Sequence, residues 1–360
     1  MLSLNTIIIT QFKNYGLSTF RFSERVIGIC GLNGKGKTNL LDAIYYSCFT
    51  KSYFSRADAL NIQFDKDGFR IESLFDKIAV PQKVVYINKG VGKKELLLND
   101  APYEKFAHHI GSFPAVMIAP DDIELITGSS EGRRRFIDTV LCQVDADFMQ
   151  QLTIYNKVLQ QRNSLLKNFA EQGKTDWPLL EILDEQLMKP GNHVYAKRKA
   201  FTEQLIPLVQ QFYKQIAGND ETVSLQYESQ LNQGSFESLL NQYRQKDFIL
   251  QRTNAGIHKD DIVILLDGQV FKNVASQGQR KSLLFALKLA EFELLKQDKG
   301  FAPLLLLDDV FEKLDDQRMQ HLLQWVCNQN EGQVFITDTH RNRLEDAFEA
   351  LSVKYQIVEL

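Results

Sequence analysis

The sequence predicts a protein of the α/β class, with one α/β lobe assembled from both ends of the chain and a mainly helical lobe inserted between them. Three observations predict it. β-Branched and apolar strand texture fills the first third, helical periodicity takes over in the middle, and short apolar runs return near the end. A chain of 360 residues with 44% hydrophobic content can fill a core in each of two lobes.

In chain order, "LNTIIITQF" and "RVIGIC" read as strands, and "KVVYINKGVGKKELLLND" as a hairpin pairing Val84–Asn88 with Glu95–Asn99. After Pro114 and Pro120 the texture changes. Phe136, Val140, Val144, Phe148, Leu152, Tyr155 and Leu159 recur at helical spacing between Gly132 and Lys167. The same texture runs from Trp177 to Phe212, where Lys189-Pro190-Gly191 predicts a break between two helices. "DDIVILLDGQVFKNVA" reads as a hairpin turning at Asp267-Gly268. A long amphipathic helix follows, with Leu283, Leu287, Ala290 and Leu294 on one face. Then come the buried strand "PLLLLDD", a helix through Leu322, and the strands "QVFIT" and "VKYQIVEL". There is no internal repeat.

Composition narrows the function classes. Lys plus Arg (42) against Asp plus Glu (45) gives a net charge of −3, so any nucleic-acid face must be local. Three basic clusters qualify: Arg133-Arg134-Arg135, Lys197-Arg198-Lys199 and Arg280-Lys281. Each can meet phosphates without reading bases, but a solvated helix face is the better reading of each. The arginines at 133–135 also suit an inward pairing with the acids of "PDD". Cys30, Cys48, Cys142 and Cys327 are scattered, which fits reduced thiols in a cytoplasmic protein. No apolar run approaches the ~20 residues that span a bilayer, so no membrane association is expected.

Two stretches carry chemistry. "GLNGKGKTN" fits G-x-x-x-x-G-K-[ST] at Gly31, Gly36, Lys37 and Thr38, with Asn33, Gly34 and Asn39 in the same loop. A strand before it and a helix after it supply the context the motif needs. Glycines let backbone N–H groups close around phosphate oxygens, and the helix start adds its positive end. Lys37 is expected on the β- and γ-phosphates and the Thr38 hydroxyl on Mg²⁺. "PLLLLDDVFEKLD" ends an apolar strand in two acids, which a parallel sheet delivers beside the phosphate loop. There Asp308 is expected to hold the metal, and Asp309 to orient an attacking water as general base.

A third stretch, "NVASQGQRKS", opens a helix at Ser276. By itself "SQGQ" reads as a helix cap. The order phosphate loop, Ser-Gln-Gly-Gln helix, acidic strand end and "EKLD" resembles an ATP-binding-cassette head of the SMC type. That resemblance implies that Ser276, Gly278 and Gln279 complete the site of a second subunit, against ATP held by the partner's Lys37. It also implies that Asp315 lies at the dimer seam.

Within that class the chain is similar to the RecF family of recombination mediators. The similarity rests on "ITQFKNY", "APDDIELITGSSEGRRRFIDTVLCQVDADF", "YNKVLQQRNSLLK", "AGIHKDDI", "ASQGQRKSLLFALKLAE" and "LLLLDDVFEKLDDQR", spread nearly end to end. It implies a cytoplasmic, weak, DNA-stimulated ATPase of DNA repair, recombination and replication. Such a protein dimerises with ATP, binds double-stranded DNA beside single-strand gaps, and works with RecR and RecO to load RecA; slow hydrolysis releases the pair. It further implies an ATP-binding lobe from 1–118 and 300–360, a helical lobe from 119–299 that carries the signature, and no long coiled coil. Some positions depart from the pattern. "CFTKSYFSRAD" lacks the expected Gly-Arg-Ser-His-Arg, His340 lies near a position where cassette ATPases often sense the γ-phosphate, and Gln143 reads either as a Q-loop glutamine or as a solvated side chain. Two rival classes fit less well. A GTP switch would show Asn-Lys-x-Asp, which "NKGV" and "NKVL" lack, and a transporter-coupled ATPase would need a coupling surface for a membrane partner.

Overall fold

A computed structural model describes residues 1–360 except 56, 91, 173–175, 219–220 and 312–315. The chain opens with β1 (Leu2–Phe12), β2 (Tyr15–Arg21), β3 (Val26–Cys30) and α1 (Lys37–Phe49), then β4 (Phe69–Lys77), β5 (Val80–Asn88), β6 (Lys94–Leu98), β7 (Ala101–Pro102) and β8 (Ala115–Ile118). The middle holds α2 (Glu124–Thr127), α3 (Ser130–Val144), α4 (Ala146–Gln172), α5 (Trp177–Ala217), β9 (Val223–Glu228), α6 (Phe236–Leu250), β10 (Asp261–Leu266), β11 (Gln269–Val270) and α7 (Phe271–Val274). The last part is α8 (Gln277–Lys299), β12 (Leu304–Leu307), α9 (Asp316–Leu323), β13 (Val334–Asp338), α10 (Arg341–Ala350) and β14 (Tyr355–Glu359).

The chain forms two compact units: residues 1–123, 211–220 and 276–360 in the first, 124–210 and 221–275 in the second. An α/β unit drawn from both ends with a helical insertion is the architecture read from the sequence. The divisions fall at 123 and 275, where 118 and 300 were expected, and α8 belongs to the first unit because it packs against β8. Residues 211–220 also count with the first unit, where Phe212 meets Trp325 edge-on and the Ile216 carbonyl contacts His321.

The first unit has an antiparallel sheet ordered β2-β1-β4-β5-β6-β7 and a parallel sheet ordered β14-β3-β13-β12-β8. One continuous core takes residues from both sheets and from α1. That explains the composition of α1, "KTNLLDAIYYSCF", which is buried nearly all round because sheet residues lie on opposite sides of it. β12 is four leucines, all buried, hydrogen-bonded in parallel to β8 on one side and β13 on the other. A strand covered on both faces and both edges has no use for polar alternation. The sequence reading passed over β2, β4 and β8.

In the second unit α3, α4, α6 and the part of α5 up to residue 210 accompany a small antiparallel sheet, β11-β10-β9. The expected turn at Asp267-Gly268 is present, with φ of 48° and 79° at its two positions, the geometry a two-residue hairpin prefers. The expected break at Lys189-Pro190-Gly191 is absent. α5 runs through it with Pro190 and Pro207 inside the helix. Gly191 serves packing instead, since a Cβ there would lie 2.4 Å from the Phe236 ring.

Candidate functional site

The phosphate loop joins β3 to α1 in the first unit. Gly34 and Gly36 have φ of 82° and 111°, where a side chain is strained. At Gly36 space forbids one as well: a Cβ would meet Asn14 Nδ2 at 2.5 Å. The turn between β1 and β2 therefore braces the loop. Asn14 Nδ2 donates to the Lys35 carbonyl (3.1 Å), and the Tyr15 hydroxyl to the Gly36 carbonyl (3.1 Å). Asn39 Nδ2 donates to Asn14 Oδ1 (2.7 Å). The buried Lys37 ammonium donates to the Gly31 carbonyl at 2.6 Å and the Leu32 carbonyl at 3.3 Å.

The acidic strand end meets this loop directly. The Thr38 hydroxyl lies 2.9 and 3.1 Å from the two oxygens of Asp308, a residue 270 positions away in sequence. Thr337, on β13, donates its hydroxyl to Asp308 (2.8 Å) and accepts from the Asp309 backbone N–H (2.8 Å). Burial pushes the Asp308 carboxyl up from its ordinary pKa, and the two threonine hydrogen bonds act against that rise. Asp309 adopts φ 50°, a left-handed turn that ends the strand. Thr337, Asn14 and Tyr15 thus belong to the site. Thr337 left no mark in the sequence beyond its place in a buried strand, whereas Asn14 and Tyr15 were visible in "ITQFKNY".

Ser276 is the N-cap of α8. Its hydroxyl accepts from the Gln279 backbone N–H (3.2 Å), and the Gln279 side chain accepts from the Ser276 N–H (2.7 Å), a reciprocal box. At Gly278 a Cβ would lie 2.1 Å from a guanidinium nitrogen of Arg318, on α9. The signature helix start therefore carries an arginine beside its glycine, a neighbour 40 positions away that has no local mark in the sequence. Asp315 lies outside the described residues. The His340 ring is 73% exposed and sits by Thr339 and Asp338, whose carboxylate also receives Arg343.

A family model described as an AAA domain matches residues 6–352. The DNA replication and repair protein RecF of Flavobacterium johnsoniae is 41% identical over 357 residues, covering 99% of this chain and 99% of that protein. This chain belongs to the RecF family. The RecF of Cytophaga hutchinsonii is 39% identical over 347 residues, covering 96% and 92% of the two chains. Among solved structures, the recombination mediator protein RecF with ATP, of the RecFOR pathway, superposes with TM-score 0.86 at 31% identity, covering 94% of this chain and 92% of that one. The Smc head domain of Pyrococcus furiosus superposes with TM-score 0.58 at 15% identity over 100% and 93% of the chains, and it shares the fold.

With the RecF fold established, the departures from its sequence pattern acquire local explanations. In "CFTKSYFSRAD", Ser52 Oγ and the Tyr53 N–H donate to the buried carboxylate of Asp42 on α1 (2.6 and 2.7 Å). Asp42 also pairs with Lys13 at 2.5 Å, and the Tyr53 hydroxyl reaches Asp122. The segment thus straps α1 to the β1 turn. Gln143 is 2% exposed, which rules out a solvated side chain. The basic runs are largely consumed inside the second unit. Arg133 pairs with Asp261 (2.7 Å), not with the acids of "PDD"; Arg135 pairs with Glu131, Lys197 with Asp145, and the buried Arg198 with Asp138. Among the described residues no helix is long and apolar enough to cross a membrane.

Proposed function

We propose that this chain is an ATP-dependent, DNA-binding recombination mediator that works with RecO- and RecR-type partners, pairs with a second copy around ATP, and separates on slow hydrolysis. The observation that carries this reading is the Thr38–Asp308 hydrogen bond, which unites the phosphate loop with the acidic strand end in one constellation. The solved relative named with ATP has 31% sequence identity to this chain, so nucleotide chemistry transfers at the level of the loop.

Each residue then has a task. Backbone N–H groups of the loop from Gly31 through Gly36 surround the phosphates, flanked by Asn33 and Asn39. Lys37 leaves the loop carbonyls for the β- and γ-phosphate oxygens. Thr38 and Asp308 present hard oxygen donors side by side, the set that suits Mg²⁺, and the ion when bound neutralises charge on the phosphates. Asp309 orients the water that attacks the terminal phosphorus. Ser276, Gly278 and Gln279 act across the dimer, where the N-terminal end of α8 faces the triphosphate of the other copy.

Light scattering of the protein alone, with ATP, and with ATP plus gapped duplex tests the reading. A doubling of mass that requires ATP is expected. A mass unchanged by ATP in the presence of gapped duplex rejects the ATP-glued pair.

A further inference from the structure

The loop 251–260, which includes "AGIHKD", has no task in nucleotide chemistry, yet buried polar groups hold it throughout. Asp247 accepts from the Asn254 N–H (2.8 Å) and amide (2.9 Å) on one oxygen, and from Arg162 (2.7 Å) on the other. Arg162 donates also to the Thr253 hydroxyl (2.9 Å), and Asn163 accepts from the Thr253 N–H (2.7 Å). His258 Nε2 donates to the Thr253 carbonyl (3.0 Å), which leaves Nδ1 to accept from the Tyr155 hydroxyl (2.8 Å). Gln230 accepts from the Gly256 N–H (3.0 Å), and Arg198 donates to the Ile257 carbonyl (2.8 Å). Arg162 and Asp247 are fully buried and Arg198 is 2% exposed. Desolvating such ions largely cancels what their pairing returns, so the gain from this network is a fixed backbone rather than net stability.

The fixed loop presents cations. Arg252 and Lys259 are exposed, and among the described residues neither makes an ion pair or a side-chain hydrogen bond. Arg134 is held beside them by donating to the Asp260 carbonyl (2.6 Å), and Lys246 comes from the end of α6. The Lys259 pKa lies below the ordinary lysine value, through partial burial first and then the charges of Arg252, Arg134 and Lys246, with Asp247, itself engaged by Arg162 and Asn254, acting in the opposite direction. The acids nearby are spent elsewhere: Asp261 on Arg133, Glu131 on Arg135, Asp260 on Arg198. Mutually repelling charges fixed on a rigid surface form a field that attracts anions. They come from separate segments and include no base-reading arrangement, so they suit successive phosphates better than one enclosed anion.

We propose that Arg252 and Lys259, flanked by Arg134 and Lys246, form a preset contact for the phosphate backbone of duplex DNA. The proposal rests on the DNA-binding reading above and assigns it a place on the second unit. The test compares wild type with Arg252→Glu/Lys259→Glu and with a charge-matched control on α4, Lys157→Glu/Lys167→Glu. Fluorescence anisotropy on gapped duplex, with ATP, is read between about 50 and 200 mM salt. The loop variant should lose roughly tenfold or more in affinity and show a salt slope shallower by about two, with ATP affinity and melting temperature unchanged. A loss under about twofold with the wild-type slope, or an equal loss in the control, overturns the proposal. Wild-type protein without DNA affinity overturns the functional reading, and this proposal with it.

Discussion

Asp308 gathers hydroxyls from Thr38 and Thr337, and this small triangle fixes the phosphate loop against the sheet. Lys37→Ala should remove a charge-assisted contact worth roughly 2–3 kcal/mol, a 30- to 150-fold rise in the ATP dissociation constant by calorimetry. Two other residues set the acid limit. Burial lowers the pKa of His109 and His258 to about 4 from an ordinary 6.5. The unfolded chain then binds protons that the native state refuses. Stability is therefore complete above pH 6.5 and is lost as pH falls toward 4, by about 3 kcal/mol per histidine. Urea unfolding at pH 7.5 and 4.5 measures it, and a His109→Gln/His258→Gln variant should show a flatter dependence. The meeting of the phosphate loop with Asp308 was legible because motif chemistry fixes residue type at fixed spacing. Thr337 was not, since a threonine in a buried strand has no local signature. Contiguous basic runs could not be placed for a related reason: whether an arginine turns inward, as Arg133 and Arg198 do, depends on acids far away in sequence.

Among elements, the start of α8 lets the cap formed by Ser276 be tested apart from its proposed role across the pair. Ser276→Ala removes half of the capping box and should cost about 1 kcal/mol in denaturant unfolding. If the proposed pairing holds, Ser276→Arg should leave ATP affinity unaltered and abolish the ATP-dependent rise in mass on a sizing column, because the arginine would stand in the seam. α1 and β12 were read correctly from apolar texture, and the Asp267-Gly268 turn from its two residue types. α5 was misread at Pro190-Gly191. The rule that a Pro-Gly pair ends a helix weighs local preference only, and here Phe236 and Tyr155 pack where any side chain at 191 would stand. β8 was missed because four residues flanked by prolines give no periodicity, and pairing with β12 makes them a strand.

For the whole molecule, the proposed ATP-driven pair predicts that hydrolysis governs its lifetime. Asp309→Asn should slow turnover by about 10²-fold or more and prolong the ATP-bound dimer in a dilution experiment followed by scattering. The two-unit plan was visible because texture changes twice along the chain, but the boundaries were not. Whether α8 belongs with the helices or with the sheets is decided by its packing on β8, which no window of sequence contains.

The position of β3 between β13 and β14 bears on how the molecule is made. At ordinary translation rates the strand before the phosphate loop leaves the ribosome roughly 15 to 60 s ahead of both neighbours, some 300 residues later. When residue 300 has been made the inserted helical unit is complete, while β3, which leads into the phosphate loop, still lacks both neighbours. A ribosome stalled before Val334 therefore carries a phosphate loop whose leading strand has neither of its parallel partners.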